Sequence, residues 1–149
     1  MADLSNIEIK LNETQLSSVL NKDNKNYGKK NLVDGSDETC WNSEAGSTQW
    51  IQINLAENVQ LSSIAIKFQG GFSAKKLLLQ CRLLKNEDEK MVSIAEFYPL
   101  DNNKLQIFNL TSSITTNSIR FQFDESYDMF SRIIIYSLKL FQKTTNEIE

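Results

Sequence analysis

Strict alternation between apolar and polar side chains constrains the fold of this chain more than any other feature of its sequence. Residues 51–55, 64–68 and 119–123 each place a large apolar side chain at every second position. A period of two puts those side chains on one face of a strand, so each stretch is predicted to be a β-strand buried on one face. They are expected to meet in one core, whose strongest candidates are Ile53, Ile66, Phe68, Phe121, Phe123 and Ile135.

Further candidate strands fill most of the remaining chain. They are residues 77–84, 91–98, 104–110 and 132–141, with polar turns at 86–88 and 101–103. About eight short strands without interleaved helix patterns predict an all-β fold, an antiparallel β-sandwich or jelly roll. A short helix over residues 15–20, with Thr14 as its N-cap, is also predicted.

The composition excludes several classes of function. The 149 residues include no histidine, which excludes Ser-His-Asp and Cys-His catalysis and metal sites with histidine ligands. With a formal net charge of -3 at pH 7, the chain lacks the basic surface of proteins that bind nucleic acid directly. We therefore expect no enzyme, no cofactor and no direct nucleic-acid partner.

The organisation of the chain and its cysteines point to a cellular compartment. We expect one domain over residues 17–142, an N-terminal extension or first strand at 1–16, and a polar tail at 143–149. No apolar run approaches the roughly 18–20 residues of a membrane span, and the start of the chain has no apolar signal-peptide core. We therefore expect an intracellular protein of the nucleus, the cytoplasm or both, without membrane binding, in which Cys40 and Cys81 stay reduced.

Residues 31–41 carry the most specific motif in the chain. They run Asn-Leu-Val-Asp-Gly-Ser-Asp-Glu-Thr-Cys-Trp and are followed at 49–55 by Gln-Trp-Ile-Gln-Ile-Asn-Leu. Together the two segments resemble the opening of discoidin domains, the coagulation-factor C-type or galactose-binding-like family, where an N-L-x-D-G turn, a Thr/Ser-x-Trp and a W-I-x-x-x-L strand recur in this order. The resemblance extends over about residues 17–141 and implies a jelly roll.

Shorter segments narrow this resemblance. Residues 40–43, 68–72, 101–103 and 130–136 resemble a small intracellular branch of the discoidin family, a single-domain protein described as associated with an orphan nuclear receptor and as a repressor of its transcriptional activity. That branch tends to have glycine where this chain has Ser131. The resemblance implies a non-catalytic protein-interaction module whose partner is a nuclear receptor or a multi-subunit intracellular complex.

The wider family leaves an alternative function open, that of a carbohydrate-binding module. In carbohydrate-binding relatives the turn after the N-L-x-D-G motif holds a structural calcium, with help from a glutamate in the last strand. Here that turn offers Asp34, Asp37 and Thr39 as a weak calcium site, but the last strand near 136–140 has no glutamate. We therefore favour an Asx-type turn without a metal, and we do not expect sugar binding.

Three polar stretches carry residues that a core cannot use. In discoidin domains the matching loops form ligand-binding spikes at one end of the barrel, which implies that residues 21–30, 42–49 and 69–76 lie together. Four lysines in the first stretch make a local basic patch, and Tyr27 and Phe72 are aromatic anchors. The candidate partner-binding residues are Lys25, Tyr27, Lys29, Lys30, Asn42, Ser43, Gln69 and Phe72.

The remaining aromatic and charged residues are predicted to have structural roles. Trp41 and Trp50 are expected in the core, closing one end of the barrel, with sugar stacking as the alternative. The loop at 124–130 is expected to be solvated, with its acidic side chains paired to Arg120 and Arg132.

Overall fold

Antiparallel strands make up most of the computed structural model, which describes residues 4–83 and 90–143. The turn predicted at 86–88, the last residue of the 77–84 strand and the tail beyond residue 143 lie outside the described residues. One short helix, α1 (Asn24–Tyr27), and 3-10 turns at Leu11–Glu13, Leu20–Lys22 and Lys29–Leu32 accompany the early strands. The strands of the described chain are β1 (Leu4–Ile7), β2 (Thr14–Leu16), β3 (Trp41–Asn42), β4 (Thr48–Phe68), β5 (Ala74–Arg82), β6 (Met91–Phe97), β7 (Leu105–Ser126) and β8 (Ile134–Lys143).

The two longest strands, β4 and β7, each belong to both layers of a sandwich. Residues 48–54 of β4 pair with 118–124 of β7, and after a register shift residues 63–67 of β4 pair with 105–109 of β7. The first layer has the order β2–β4–β7–β5–β6, and the second has the order β1–β8–β4–β7 with β3 beside β8. Such irregular pairings let a strand bend from one layer into the other. The predicted antiparallel β-sandwich is confirmed.

Both long strands start and finish at the same end of the sandwich, because each runs down one layer and returns up the other. The pairs Thr48–Asp124 and Lys67–Leu105 mark this end in the two layers. The loops of this end are here called the rim, and they comprise residues 43–47, 69–73, 98–104 and 127–133. The fold thus brings the candidate stretches 42–49 and 69–76 together, as the family resemblance implied.

The core contains all six residues that were named as its strongest candidates. Ile53, Ile66, Phe68, Phe121, Phe123 and Ile135 are all at most 1% exposed and belong to one cluster. Trp41 is fully buried beside them, with its ring centroid 6.1 Å from that of Phe123. Fully burying such a side chain contributes roughly 1.5–3 kcal/mol. These predictions are confirmed, as is the core position of Trp41.

Two sequence-based expectations are wrong. The segment predicted as a helix over residues 15–20 begins as β2, because residues 14–16 pair with residues 51–53 of β4. Thr14 does not cap a helix; its hydroxyl donates to the carbonyl of Lys10 at 2.8 Å. Trp50 is half-buried on the outer face of the first layer and not in the core, since it alternates with Gln49 and Ile51, both of which are buried. In the segment at 15–20, pairing with β4 thus overrides a weak helix propensity.

Helices contribute little to the described chain. Within residues 4–83 and 90–143, no helix has the length and apolar character that crossing a membrane requires.

Candidate functional site

The loop between β7 and β8 is built around one carboxylate. Asp128 accepts hydrogen bonds from the backbone N–H groups of Phe130 and Arg132, both at 3.2 Å. The Arg132 side chain donates to the same carboxylate at 2.8 Å from Nε and 3.1 Å from Nη2. The hydrogen bond from the Arg132 side chain is the main cause that lowers the pKa of Asp128 below its usual 3.8. Ser131, where the resembled branch tends to have glycine, has a φ of 61°, in the left-handed region that favours glycine.

Three large apolar side chains project from this braced loop into solvent. Met129 is 85% exposed, Phe130 is 59% exposed and Tyr127 is 47% exposed. The Arg132 guanidinium lies 5.5 Å from the ring centroid of Phe130 and 5.3 Å from that of Phe72. A guanidinium over a ring is attracted by the negative face of the ring. Arg132 therefore connects the exposed apolar surface to the half-buried ring of Phe72.

Backbone hydrogen bonds join this loop to two other loops of the rim. The N–H of Gly46 donates to the carbonyl of Phe130 at 3.2 Å, and the N–H of Tyr127 donates to the carbonyl of Ser73 at 3.0 Å. The exposed apolar residues therefore stand on a connected surface and not on an isolated flexible loop.

The rim loop at 69–73 contains two glycines, one of which its backbone conformation requires. Gly71 has a φ of 92°, which is costly for any residue with a Cβ atom. Its N–H donates to Oδ1 of Asp101 at 2.8 Å, and the N–H of Gly70 donates to Oδ1 of Asn103 at 2.6 Å. These bonds hold the loop against the next loop of the rim.

The basic stretch at 21–30 reaches the rim through Glu44. The N–H of Asn21 donates to Oε2 of Glu44 at 3.1 Å. Asp23 caps α1 by accepting from the side chain of Asn26 at 2.8 Å and from its N–H at 3.1 Å. The side-chain bond from Asn26 is the main cause that lowers the pKa of Asp23. The stretch is thus locally ordered and attached to the rim.

The four candidate residues of this stretch have different surroundings. Lys25 and Lys30 are exposed, and Tyr27 is half-buried. The ammonium of Lys29 donates to the carbonyl of Thr14 at 2.8 Å, on β2 and away from the rim. Lys25 and Lys30 can therefore meet a partner freely, whereas Lys29 already has a structural contact.

The candidates of the other two stretches are less accessible than the sequence suggested. Ser43 is completely buried; its hydroxyl donates to a backbone carbonyl at 2.8 Å and accepts from the N–H of Ile133 at 2.9 Å. This corrects its assignment as a contact residue, because it joins two rim loops and offers no surface. Asn42 is half-buried and its Oδ1 has no hydrogen-bond partner within the described residues. Gln69 is half-buried and accepts from the Tyr136 hydroxyl at 2.9 Å.

The acidic turn of the family motif is closed by its own side chains. Asp34 accepts from the N–H of Ser36 at 3.0 Å and from the hydroxyl of Thr39. Asp37 forms an ion pair with Lys67 at 2.8 Å. Among the described residues, no three Cys, Asp or Glu side chains gather as a metal site would require. The favoured turn without a metal stays a prediction, and so does its weak alternative, a calcium site at Asp34, Asp37 and Thr39.

The apolar surface of the loop at 127–133 was not predicted from the sequence. The expectation for residues 124–130 was a solvated acidic loop paired to Arg120 and Arg132, and of those pairs only that of Arg132 with Asp128 is confirmed. The available signal was the pair Met129 and Phe130, two large apolar residues in a polar stretch with no strand periodicity. Such residues in a loop cannot serve a core, so they belonged among the candidates for partner contact.

The fold and its sequence motif define the class of protein. Residues 12–134 match the F5/8 type C domain, and the chain belongs to that family. The F5/8 type C domain of a Bacteroides fragilis protein superposes with a TM-score of 0.78 at 15% identity, covering 95% of this chain and 98% of that one. The family 32 carbohydrate-binding module of Clostridium perfringens NanJ, solved with galactose, gives 0.71 at 18% identity, covering 87% and 92%. At these identities the likeness shows the fold.

Sequence comparison places the chain more narrowly, beside proteins named nuclear receptor 2C2-associated protein. The protein of that name from Xenopus laevis is 44% identical over 126 residues, which are 84% of this chain and 89% of that protein. The one from Danio rerio is 40% identical over 128 residues, 86% and 89% of the two chains. The one from Homo sapiens is 35% identical over 127 residues, 85% and 88%. The resemblance to discoidin domains and to a receptor-associated branch is confirmed.

Proposed function

We propose that the chain is a non-catalytic protein-interaction module that docks a protein partner through the rim. The observation that carries this proposal is the exposure of Tyr127, Met129 and Phe130 on a loop braced by Asp128 and Arg132. Aromatic and methionine side chains, with an arginine among them, are typical of the energetically dominant part of a protein interface. A rim fixed by hydrogen bonds also loses little conformational entropy when a partner binds.

The names of the relatives support a choice of partner. Proteins 35–44% identical to this chain are named for association with nuclear receptor 2C2. We therefore propose a nuclear receptor, or an intracellular complex that contains one, as the partner, and the nucleus, the cytoplasm or both as the location. Lys25 and Lys30 lie exposed on a stretch attached to the rim, where they would accelerate the approach of an acidic partner surface.

The experiment measures the affinity of the chain for purified nuclear receptor 2C2 of the same organism. The double variant Met129→Ser, Phe130→Ser should weaken binding at least about tenfold, since truncating one interface anchor commonly costs about 2 kcal/mol or more. The matched control is Leu4→Ser, which also removes an exposed apolar side chain, 47% accessible, but from β1, where Leu4 pairs with Lys143 at the end of β8 opposite the rim. Unchanged affinity of the double variant, or equal weakening by the control, would contradict the proposal.

A carbohydrate ligand is the competing outcome, because exposed rings also stack on sugars. Calorimetric titration with galactose tests it directly. Saturable binding that the double variant abolishes would make the rim a sugar site instead of a protein interface.

A further inference from the structure

The guanidinium of Arg120 lies in the middle of the first layer and has no hydrogen-bond acceptor among the described residues. It is half-buried, and its Nε is buried with no hydrogen-bond partner. No hydrogen bond or ion pair of its side chain occurs within the part of the chain that the structure describes. Asp124, one of the loop acids expected to pair with Arg120 or Arg132, accepts from Thr48 and Gln122 instead. Buried polar atoms are nearly always satisfied, so an unpaired one calls for an explanation, and a ligand is one.

Trp50 holds this guanidinium in place. The Cζ atom of Arg120 lies 4.3 Å from the centre of the Trp50 ring. Pairing across β4 and β7 places Arg120 opposite Gln52 and Trp50 opposite Gln122, so the two are diagonal neighbours on the outer face. The guanidinium therefore lies against an aromatic surface, with its remaining N–H groups available to an acceptor.

A row of polar side chains crosses the outer face at the level of Arg120. Registered pairing runs from β2 across β4, β7 and β5 to β6, so these side chains stand side by side on one surface. The row consists of Gln15, Gln52, Arg120, Gln80 and Ser93. Four of its members carry no charge, so none of them neutralises the guanidinium.

A basic pocket adjoins Trp50 on the side of β2. It has a volume of about 490 Å³, and its wall includes Lys22, Lys29 and Asn24 besides Trp50. None of the described residues that line it is acidic. Lys22 adopts a φ of 56°, an unfavourable conformation for a residue with a side chain. Trp50 thus stands between the pocket on one side and the Arg120 guanidinium on the other.

We propose that Trp50, Arg120 and the basic pocket form a second binding surface, which takes an acidic segment of a protein partner. One carboxylate of the segment accepts from the Arg120 guanidinium, and a second carboxylate lies near Lys22. An apolar side chain between them packs on Trp50. This surface is distinct from the rim and extends the proposed function with a second contact.

Charge complementarity selects this occupant. The chain as a whole has a net charge of -3, yet the surface around Trp50 presents three cations and no lining acid in the described chain. A planar guanidinium matches a carboxylate in two parallel hydrogen bonds. Phosphate would match it as well, but three cations are fewer than the extended basic surface with which proteins bind a nucleic acid.

The test uses nuclear magnetic resonance on the full chain labelled with ¹⁵N. The probe is an acetylated, amidated peptide of three glutamate–leucine pairs, and the control peptide has glutamine in place of glutamate. The two tryptophans provide an internal comparison, because Trp50 is half-buried on the surface whereas Trp41 is fully buried, with its Nε1–H donated to the carbonyl of Ser18 in the pocket wall. The glutamate peptide should move the indole resonance of Trp50 more than that of Trp41.

Variants then assign the contact. Arg120→Gln should weaken peptide binding at least about tenfold. Arg120→Lys should weaken it less, because lysine keeps the positive charge but cannot form the two parallel hydrogen bonds of a guanidinium. Lys139→Gln removes one exposed positive charge from the other layer and should change the affinity less than about twofold. The same spectra show whether each variant is folded. If Arg120→Gln does not fold, the affinity of Arg120→Lys for the peptide tests the proposal instead.

Several results would overturn the proposal. The first is that the glutamate peptide does not move the Trp50 resonance. The second is that the glutamine peptide binds as tightly as the glutamate peptide, and the third is that Arg120→Gln and Lys139→Gln weaken peptide binding equally. Loss of peptide binding in the rim variant Met129→Ser, Phe130→Ser would instead assign the acidic segment to the rim. Failure of the rim to bind a receptor would leave the peptide result unaffected, so the two proposals fail separately.

Discussion

The guanidinium of Arg132 donates to both carboxylate oxygens of Asp128, four residues before it, at 2.8 and 3.1 Å. The same carboxylate accepts the backbone N–H groups of Phe130 and Arg132. One acidic side chain therefore determines the conformation of the loop that carries Met129 and Phe130. Removing its charge should weaken this loop and leave the distant core unchanged.

Asp128→Asn should lower the free energy of unfolding by about 1–3 kcal/mol at pH 7, because hydrogen bonds to a charged group are lost. The folded state lowers the pKa of Asp128 below its usual 3.8. Its stabilisation is therefore complete above that value and disappears as the pH falls through the lowered pKa. Urea unfolding at pH 7, 5 and 3 should show the difference between wild type and variant unchanged from pH 7 to 5 and smaller at pH 3. A difference that grows on acidification would contradict this account.

Phe121→Ala should destabilise the fold by about 3–5 kcal/mol, because it leaves a cavity where Phe121 is 0% exposed. Phe130→Ala is the matched control, since this phenylalanine is 59% exposed and its truncation should change stability by less than about 0.5 kcal/mol. Both values follow from urea unfolding monitored by circular dichroism. A mild effect of Phe121→Ala would mean that the core repacks around the gap.

Alternation was sufficient to predict the core because a period of two has only one geometric meaning in a strand. Phe121 and Phe123 had to point the same way, and the first layer buries both. The same alternation puts Trp50 on the outer face, where it lies, whereas its aromatic character and its place in the family motif favoured the core. The helix expected at 15–20 failed because no local signal reveals that residues 14–16 pair with β4.

Gln49→Met should destabilise the fold by about 2–3 kcal/mol. Gln49 is 4% exposed; its Oε1 accepts from the hydroxyls of Ser17 and Ser18 at 2.6 and 2.7 Å, and its Nε2 donates to the carbonyl of Glu44 at 3.1 Å. Each such bond contributes about 1 kcal/mol net, and methionine fills a similar volume without replacing them. Gln60→Met, at an exposed position, should be nearly neutral in the same denaturation assay.

The candidate site could be predicted only in part. The family resemblance placed the loops, and the fold brings them to one end. Long-range pairing instead determines which side chains point outward. Ser43, for example, is buried where its hydroxyl accepts from the N–H of Ile133, ninety positions later in the chain. The absence of an acidic partner for Arg120 among the described residues likewise depends on which groups each acid contacts, and a sequence does not show those contacts.

The two thiols should react with iodoacetamide at different rates. Burial raises the pKa of Cys81 to about 12 and raises that of the half-buried Cys40 as well. Only the thiolate reacts, so at pH 8 Cys81 should remain unmodified in the native protein and Cys40 should react more slowly than free cysteine. Mass spectrometry should show at most one adduct before unfolding and two in denaturant. Rapid double modification of native protein would show that β5 opens readily.

The final prediction separates the two parts of the rim that a partner could use. The sequence alone selected Tyr27 and Phe72 as anchors. The structure instead selects Met129 and Phe130, because these two side chains are mostly exposed whereas Phe72 is half-buried against Arg132. Binding energy concentrates in side chains that lose the most water on association. Met129→Ala, Phe130→Ala should therefore weaken receptor binding more than Tyr27→Ala, Phe72→Ala, by at least about tenfold against less than about fivefold. Surface plasmon resonance measures the receptor affinity of the wild type, the two double variants and Tyr27→Ala alone. The reverse order of affinities would mean that the main contact lies in the basic stretch at 21–30.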